Sequence, residues 1–112
     1  MKPAFKNEEE NLAAAYLRAH GFTVLSRNDR RFGAELDFLC ARKSGGEFFI
    51  FEVKRKPRAK SAVYPRIAVS QLRRLKKAAT RMQTAANKFL TIRISLLIVD
   101  PATQSVEMIA DI

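Results

Sequence analysis

Apolar residues recur along this chain with two periods, and the changes of period mark its elements. From Asn7 to His20, Leu12, Ala13, Tyr16 and Leu17 fall three and four apart, which predicts a helix with one buried stripe. Asn7 stands at its start as an N-cap, Glu8, Glu9 and Glu10 fill the first turn, and Gly21 follows as the C-cap. Glu9 and Glu10 both fall near the stripe, so periodicity leaves open which acid points inward. His20 reads as a residue of the helix end rather than a ligand. The period then drops to two. Phe22 to Ser26 reads as a short strand and Asn28 to Gly33 as a polar turn. Glu35 to Cys40 and Glu47 to Lys54 read as two further strands joined at Ser44-Gly45-Gly46.

Lys54 to Arg66 reads as a charged loop with two prolines, Pro57 and Pro65. A long helix is predicted from Arg66 to Lys88. Ala68, Leu72, Leu75, Ala79, Met82 and Ala86 form its apolar face, and Gln71 falls on that arc as a polar exception. Thr91 to Val99 is an apolar run suited to a central strand buried on both faces. Asp100 to Thr103 makes a turn, and Ser105 to Ile109 a last strand at the sheet edge. Two helices segregated on a mixed sheet indicate an α/β or α+β layered fold, expected to form one domain over residues 1–112.

The acids are the anomaly in this pattern. Strand side chains alternate between faces, so Glu35 and Asp37 share one face, and Glu52 and Lys54 share another opposite to Phe49, Phe51 and Val53. Pairing the two strands as a hairpin brings Asp37, Glu52 and Lys54 together. Two carboxylates about 4 Å apart repel by roughly 4 kcal/mol at an effective dielectric near 20. A shared proton or a cation relieves that cost. A hard divalent ion such as Mg²⁺ takes its oxygen ligands from one or two carboxylates, and Lys54 supplies positive charge beside it. The bland alternative is a surface ion pair at a strand end.

Charge changes the picture further. The net charge is +10, and between Glu52 and Asp100 there is no acid against thirteen Lys and Arg. A surface of one sign points to a polyanion, and nucleic acid is favoured over a membrane, because no helix sets a basic face against a large aromatic or leucine-rich one. Arg30, Arg31, Arg55, Lys56, Arg58, Lys60, Arg66, Arg73, Arg74 and Lys77 are the expected phosphate contacts. The single cysteine, Cys40, excludes an internal disulfide and a cysteine-based zinc site. With neither an apolar leader nor a membrane span in the pattern, a cytoplasmic location is expected.

Gly33-Ala34-Glu35-Leu36-Asp37 followed by Glu52-Val53-Lys54 resembles the PD-(D/E)xK nuclease superfamily. More narrowly the chain resembles the YraN-like family, read as endonucleases similar to Holliday-junction resolvases. Glu10-x-x-Ala13-x-x-Tyr16-Leu17, Arg27-Asn28, Leu75 with Ala79, and Arg93 extend the likeness over most of the chain. It departs at Ala34, where the family has glycine, and at Ser95, where it usually has aspartate. The resemblance implies a restriction-endonuclease-like αβββαβ core. It makes Asp37 and Glu52 ligands of Mg²⁺ or Mn²⁺, Lys54 the catalytic lysine, and Glu10 the helix-borne acid that completes the site. Gln71 matches a glutamine that some branches place beside it. The implied activity is phosphodiester hydrolysis in DNA, with branched forms met in repair or recombination as one substrate class and a homodimer as in resolvases. The alternative is a nuclease fold that binds nucleic acid and cuts nothing.

Overall fold

In the computed structural model, residues 4–42, 46–58 and 65–110 are described. The elements are α1 (Ala4–Ala19), β1 (Phe22–Asp29), β2 (Leu36–Arg42), β3 (Glu47–Arg55), α2 (Val69–Ala86), β4 (Thr91–Asp100) and β5 (Ser105–Ile109). The strands form one sheet in the order β1-β2-β3-β4-β5. All neighbours are antiparallel except β3 and β4, which run parallel through the α2 crossover. This is the α+β layered fold expected, with the αβββαβ order of a restriction-endonuclease-like core.

Period-two alternation divides the apolar residues between two layers. Phe38, Cys40, Phe49, Phe51, Leu97 and Val99 meet Ala13, Ala14 and Leu17 of α1. Leu36, Leu39, Ile50 and Ile94 meet Leu75, Ala78 and Met82 of α2. Phe22 closes the first layer with edge-on contacts to Phe49 and Phe51, at 4.9 and 5.1 Å between ring centres. β4 is buried from Ile94 to Val99, the central position its unbroken apolar run predicts, and β5 is the edge.

Several boundaries differ from the sequence reading. α1 starts at Ala4, one turn before Asn7, so Asn7 lies within the helix and does not cap it, and no acid stands in the first turn. β1 runs past Ser26 to Asp29 after a bulge between Val24 and Ser26, and β2 begins at Leu36 rather than Glu35. α2 starts at Val69 and ends at Ala86, where Asn87 takes the left-handed conformation at φ 52°. Gly21 does end α1, at φ +85°. His20 stacks on Tyr16 and hydrogen-bonds its carbonyl at 2.8 Å, a helix-end role as expected. The turn at 43–45 and Lys60 lie outside the described residues.

Candidate active site

The β2–β3 ladder sets the site. Its pairs run from Ala41↔Phe48 to Phe38↔Phe51. One step further the acids arrive and the main-chain pattern gives way. The Asp37 carboxylate takes the place of a ladder carbonyl, and the Val53 N–H donates to its Oδ2 at 2.9 Å. Asp37 and Glu52 are close enough for each to perturb the ionisation of the other. Glu52 is only 6 % exposed. Gln71 of α2 donates from Nε2 to Glu52 Oε1 at 2.7 Å, and Lys54 Nζ stands 3.6 Å from the same oxygen. Gln71, the polar exception on an apolar helical arc, thus finds its partner in a buried acid.

Electrostatics follow from this crowding. Burial, then the charge of Asp37, push the Glu52 carboxyl up to about 7. Burial also raises Asp37 above the usual carboxylate range, with smaller contributions from the charges of Glu35 and Glu10. The pair therefore shares a proton near neutrality unless a cation replaces it. Its donor set is all oxygen, which suits Mg²⁺ or Mn²⁺. Cys40, the one thiol of the chain, is buried in the opposite layer, pushed up to about 12 by burial, and is inert.

The pair opens into a cleft of about 370 Å³ lined by Gly33, Ala34, Glu35, Asp37, Glu52, Gln71, Arg74 and Leu75. Gly33 shapes its wall twice over. It sits at φ +87°, and a Cβ there would lie 1.6 Å from Arg81 Nη1. That guanidinium donates to the Phe32 carbonyl at 3.1 Å and clasps the loop to α2.

Glu10 of α1 is held from β1. It is buried, and its Oε2 lies 3.6 Å from Arg27 Nη2 and accepts from Asn28 Nδ2 at 3.5 Å. Among the described residues no three acid, His or Cys side chains converge on one metal position. Glu10 thus stands close enough to bias Asp37 but outside a preassembled ligand triad. Its neighbour Glu9 points to Arg55 at 3.0 Å, so Glu10 is the inward acid. Ser95 faces the α1 layer with Leu97 and Val99, its Oγ buried without a hydrogen-bond partner among the described residues. The departure from the family pattern there takes no oxygen out of the cleft.

The expected phosphate contacts divide into two groups. Arg30 pairs with Glu35 at 3.7 Å, Arg31 with Asp29 at 2.6 Å and Arg55 with Glu9. Lys56, Arg58, Arg66, Arg73, Arg74 and Lys77 are exposed and make no ion pair among the described residues. Asp29, which the sequence reading left inside a polar turn, proves to be buried. It accepts from Ser26 Oγ at 2.8 Å and from the Arg31 main chain at 2.9 Å. The Asp-x-Arg spacing was its one visible signal.

A model of the family described as "Uncharacterised protein family UPF0102" matches residues 9–99, a span that holds Glu10, Asp37, Glu52, Lys54 and Gln71. The chain belongs to this family. A UPF0102 protein of Shewanella sediminis (strain HAW-EB3) is 32% identical over 92 residues, covering 81% of this chain and 77% of the relative. UPF0102 membership bears out the YraN-like resemblance. No described helix of this UPF0102 chain is long and apolar enough to cross a membrane.

Proposed function

We propose that this UPF0102 chain is a divalent-metal-dependent nuclease that hydrolyses phosphodiester bonds in DNA. The observation that carries the reading is the Asp37–Glu52 pair, with Glu52 buried and Asp37 half-buried, lining one cleft on a strongly basic chain. An uncompensated pair of this kind is costly, and structures keep such pairs where they bind or react. Asp37 and Glu52 would hold Mg²⁺ or Mn²⁺, which when bound supplies charge neutralisation at phosphate and a more acidic water. The chain's own groups do the rest. Gln71 fixes the rotamer of Glu52, and Val53 N–H fixes Asp37. Lys54 keeps a positive charge beside Glu52, just outside the cleft lining, from where it would steady the attacking water. The free cations of α2 and of the segment after β3 grip backbone phosphates without reading bases.

In this reading the protein works in the cytoplasm on DNA, with branched substrates of repair or recombination as the first class to try. The β5 edge offers a seam for a homodimer. The test is a cleavage panel over linear duplex, nicked, flapped and four-way DNA, with Mg²⁺, Mn²⁺ or EDTA. Cutting of at least one substrate with metal and none with EDTA is expected. Affinity should fall steeply with salt, by about 0.9 log units per log unit for each phosphate contacted. Salt-sensitive binding with every substrate left intact would replace the nuclease by a non-cutting binding module.

A further inference from the structure

We infer that Arg74 is the residue that takes the scissile phosphate in the acid cleft, and that its contribution is to the chemical step rather than to grip. The inference deepens the nuclease reading and rests on it. Three observations carry it. First, Arg74 is the only cation among the described residues lining the cleft, where its companions include Glu35, Asp37 and Glu52. Second, the cations near other acids are already engaged: Arg27 by Glu10, Arg30 by Glu35, Arg31 by Asp29, Lys54 by Glu52 and Arg55 by Glu9. Arg74 makes no hydrogen bond or ion pair among the described residues. Third, it follows Gln71 by three residues on α2, and Gln71 is pinned to Glu52 at 2.7 Å. Residues three apart on a helix are neighbours on its surface, so the guanidinium projects from the same face one turn along.

An exposed guanidinium on the lining of a cleft that holds two carboxylates is suited to a phosphodiester. Its planar fork bonds two non-bridging oxygens at once, which a lysine cannot do. In the step, a water oxygen bonds to phosphorus and one P–O ester bond breaks. One water proton ends on the departing alkoxide and the other stays with the phosphate monoester or passes to solvent. Charge grows on the non-bridging oxygens during this exchange, and Arg74 meets it there. Arg73, next along the helix but absent from the cleft lining, holds substrate only from outside.

The experiment compares Arg74→Ala, Arg74→Lys and Arg73→Ala with the parent chain. Single-turnover cleavage is measured with Mg²⁺, and DNA affinity with Ca²⁺. Arg74→Ala is expected to slow the saturated rate by roughly 100-fold while weakening affinity only about threefold, and Arg74→Lys to recover part of the rate. Arg73→Ala should shift affinity more than rate. If both variants move affinity alone, Arg74 is an ordinary grip residue and the inference is overturned, while cutting by the parent keeps the nuclease reading. A second arm does not need cutting: the ¹⁵Nε–H signal of Arg74 is followed as inorganic phosphate is added with Ca²⁺. A saturable shift that is absent from Arg73 is expected, and an unmoved Arg74 signal overturns the inference even if the parent cuts. A parent chain that cuts nothing with any metal overturns the nuclease reading, and Arg74's part in the chemical step falls with it.

Discussion

Glu52→Gln is expected to lose metal-dependent cleavage by about 1000-fold or more, roughly 4 kcal/mol, and to make the metal-free protein more stable at pH 8. Both effects come from the same oxygens. Glutamine keeps an acceptor for Gln71 and offers an N–H to Asp37, as the protonated acid does, but brings no charge to a cation. The sign of the stability change follows from the raised pKa. Glu52 moves from an ordinary 4.5 up to about 7 in the fold, so the folded state holds its proton more tightly than the unfolded chain. The stabilisation from that proton is complete below pH 4.5 and lost as pH rises through about 7. At pH 8 the parent has lost it and the amide has not, a difference on the order of 3 kcal/mol. Urea melts of both proteins without metal should therefore diverge at pH 8 and converge near pH 4.5. Equal stability at pH 8 would show that the two carboxyls do not strain each other, and undiminished cleavage would remove Glu52 from the site.

Asp29→Ala is expected to cost about 3 kcal/mol at pH 7, the largest loss for any single acid outside the cleft. The substitution leaves Ser26 Oγ and the Arg31 main-chain N–H without the carboxylate that orders them. It also frees the Arg31 side chain from both carboxylate oxygens, which now sit 3.0 Å from its Nε. The side-chain bonds from Arg31 hold the Asp29 carboxyl well below its usual range, more than burial raises it. A depressed carboxylate stabilises the fold above its ordinary value of 3.8 and loses that effect as pH falls further. The gap between parent and variant should accordingly be full at pH 7 and narrow in acid, as followed by urea melts. A variant that melts with the parent at neutral pH would reduce Asp29 to a surface ornament. The turn it orders leads to Gly33 and the cleft wall, so a weakened cleavage rate should accompany the loss.

These two acids mark where sequence reasoning reaches and where it stops. Glu52, Lys54 and Asp37 were legible because strand alternation has a period of two and places them by counting. Gln71 was legible because one amide broke a helical stripe. Asp29 was not, since Asn28-Asp29 looks like a turn and nothing in the order of residues says that the strand continues through it. The choice between Glu9 and Glu10 turned on their partners Arg55 and Arg27, which are 46 and 17 positions away. Gly33 was assigned to a turn, yet its room is also claimed by Arg81 from the far end of α2. The basic residues showed the same limit: composition counts charges, but only the fold separates Arg30, Arg31 and Arg55, each with an acid beside it, from Arg73, Arg74 and Lys77.

The parallel pairing of β3 with β4 has a consequence for assembly. β1, β2 and β3 form a meander of near neighbours, whereas Glu47 must find Thr91 across more than forty intervening residues. Local contacts form early and distant ones late, because closing a longer chain segment costs more entropy. Asp37 and Glu52 are thus expected to come side by side on a nascent hairpin while water still surrounds them, with α2 covering them afterwards. Dehydration of the two charges is deferred to the last stage of the search for the native state. Pulse-labelled hydrogen exchange should accordingly protect Leu39 and Ile50 before Leu96 and Ile98.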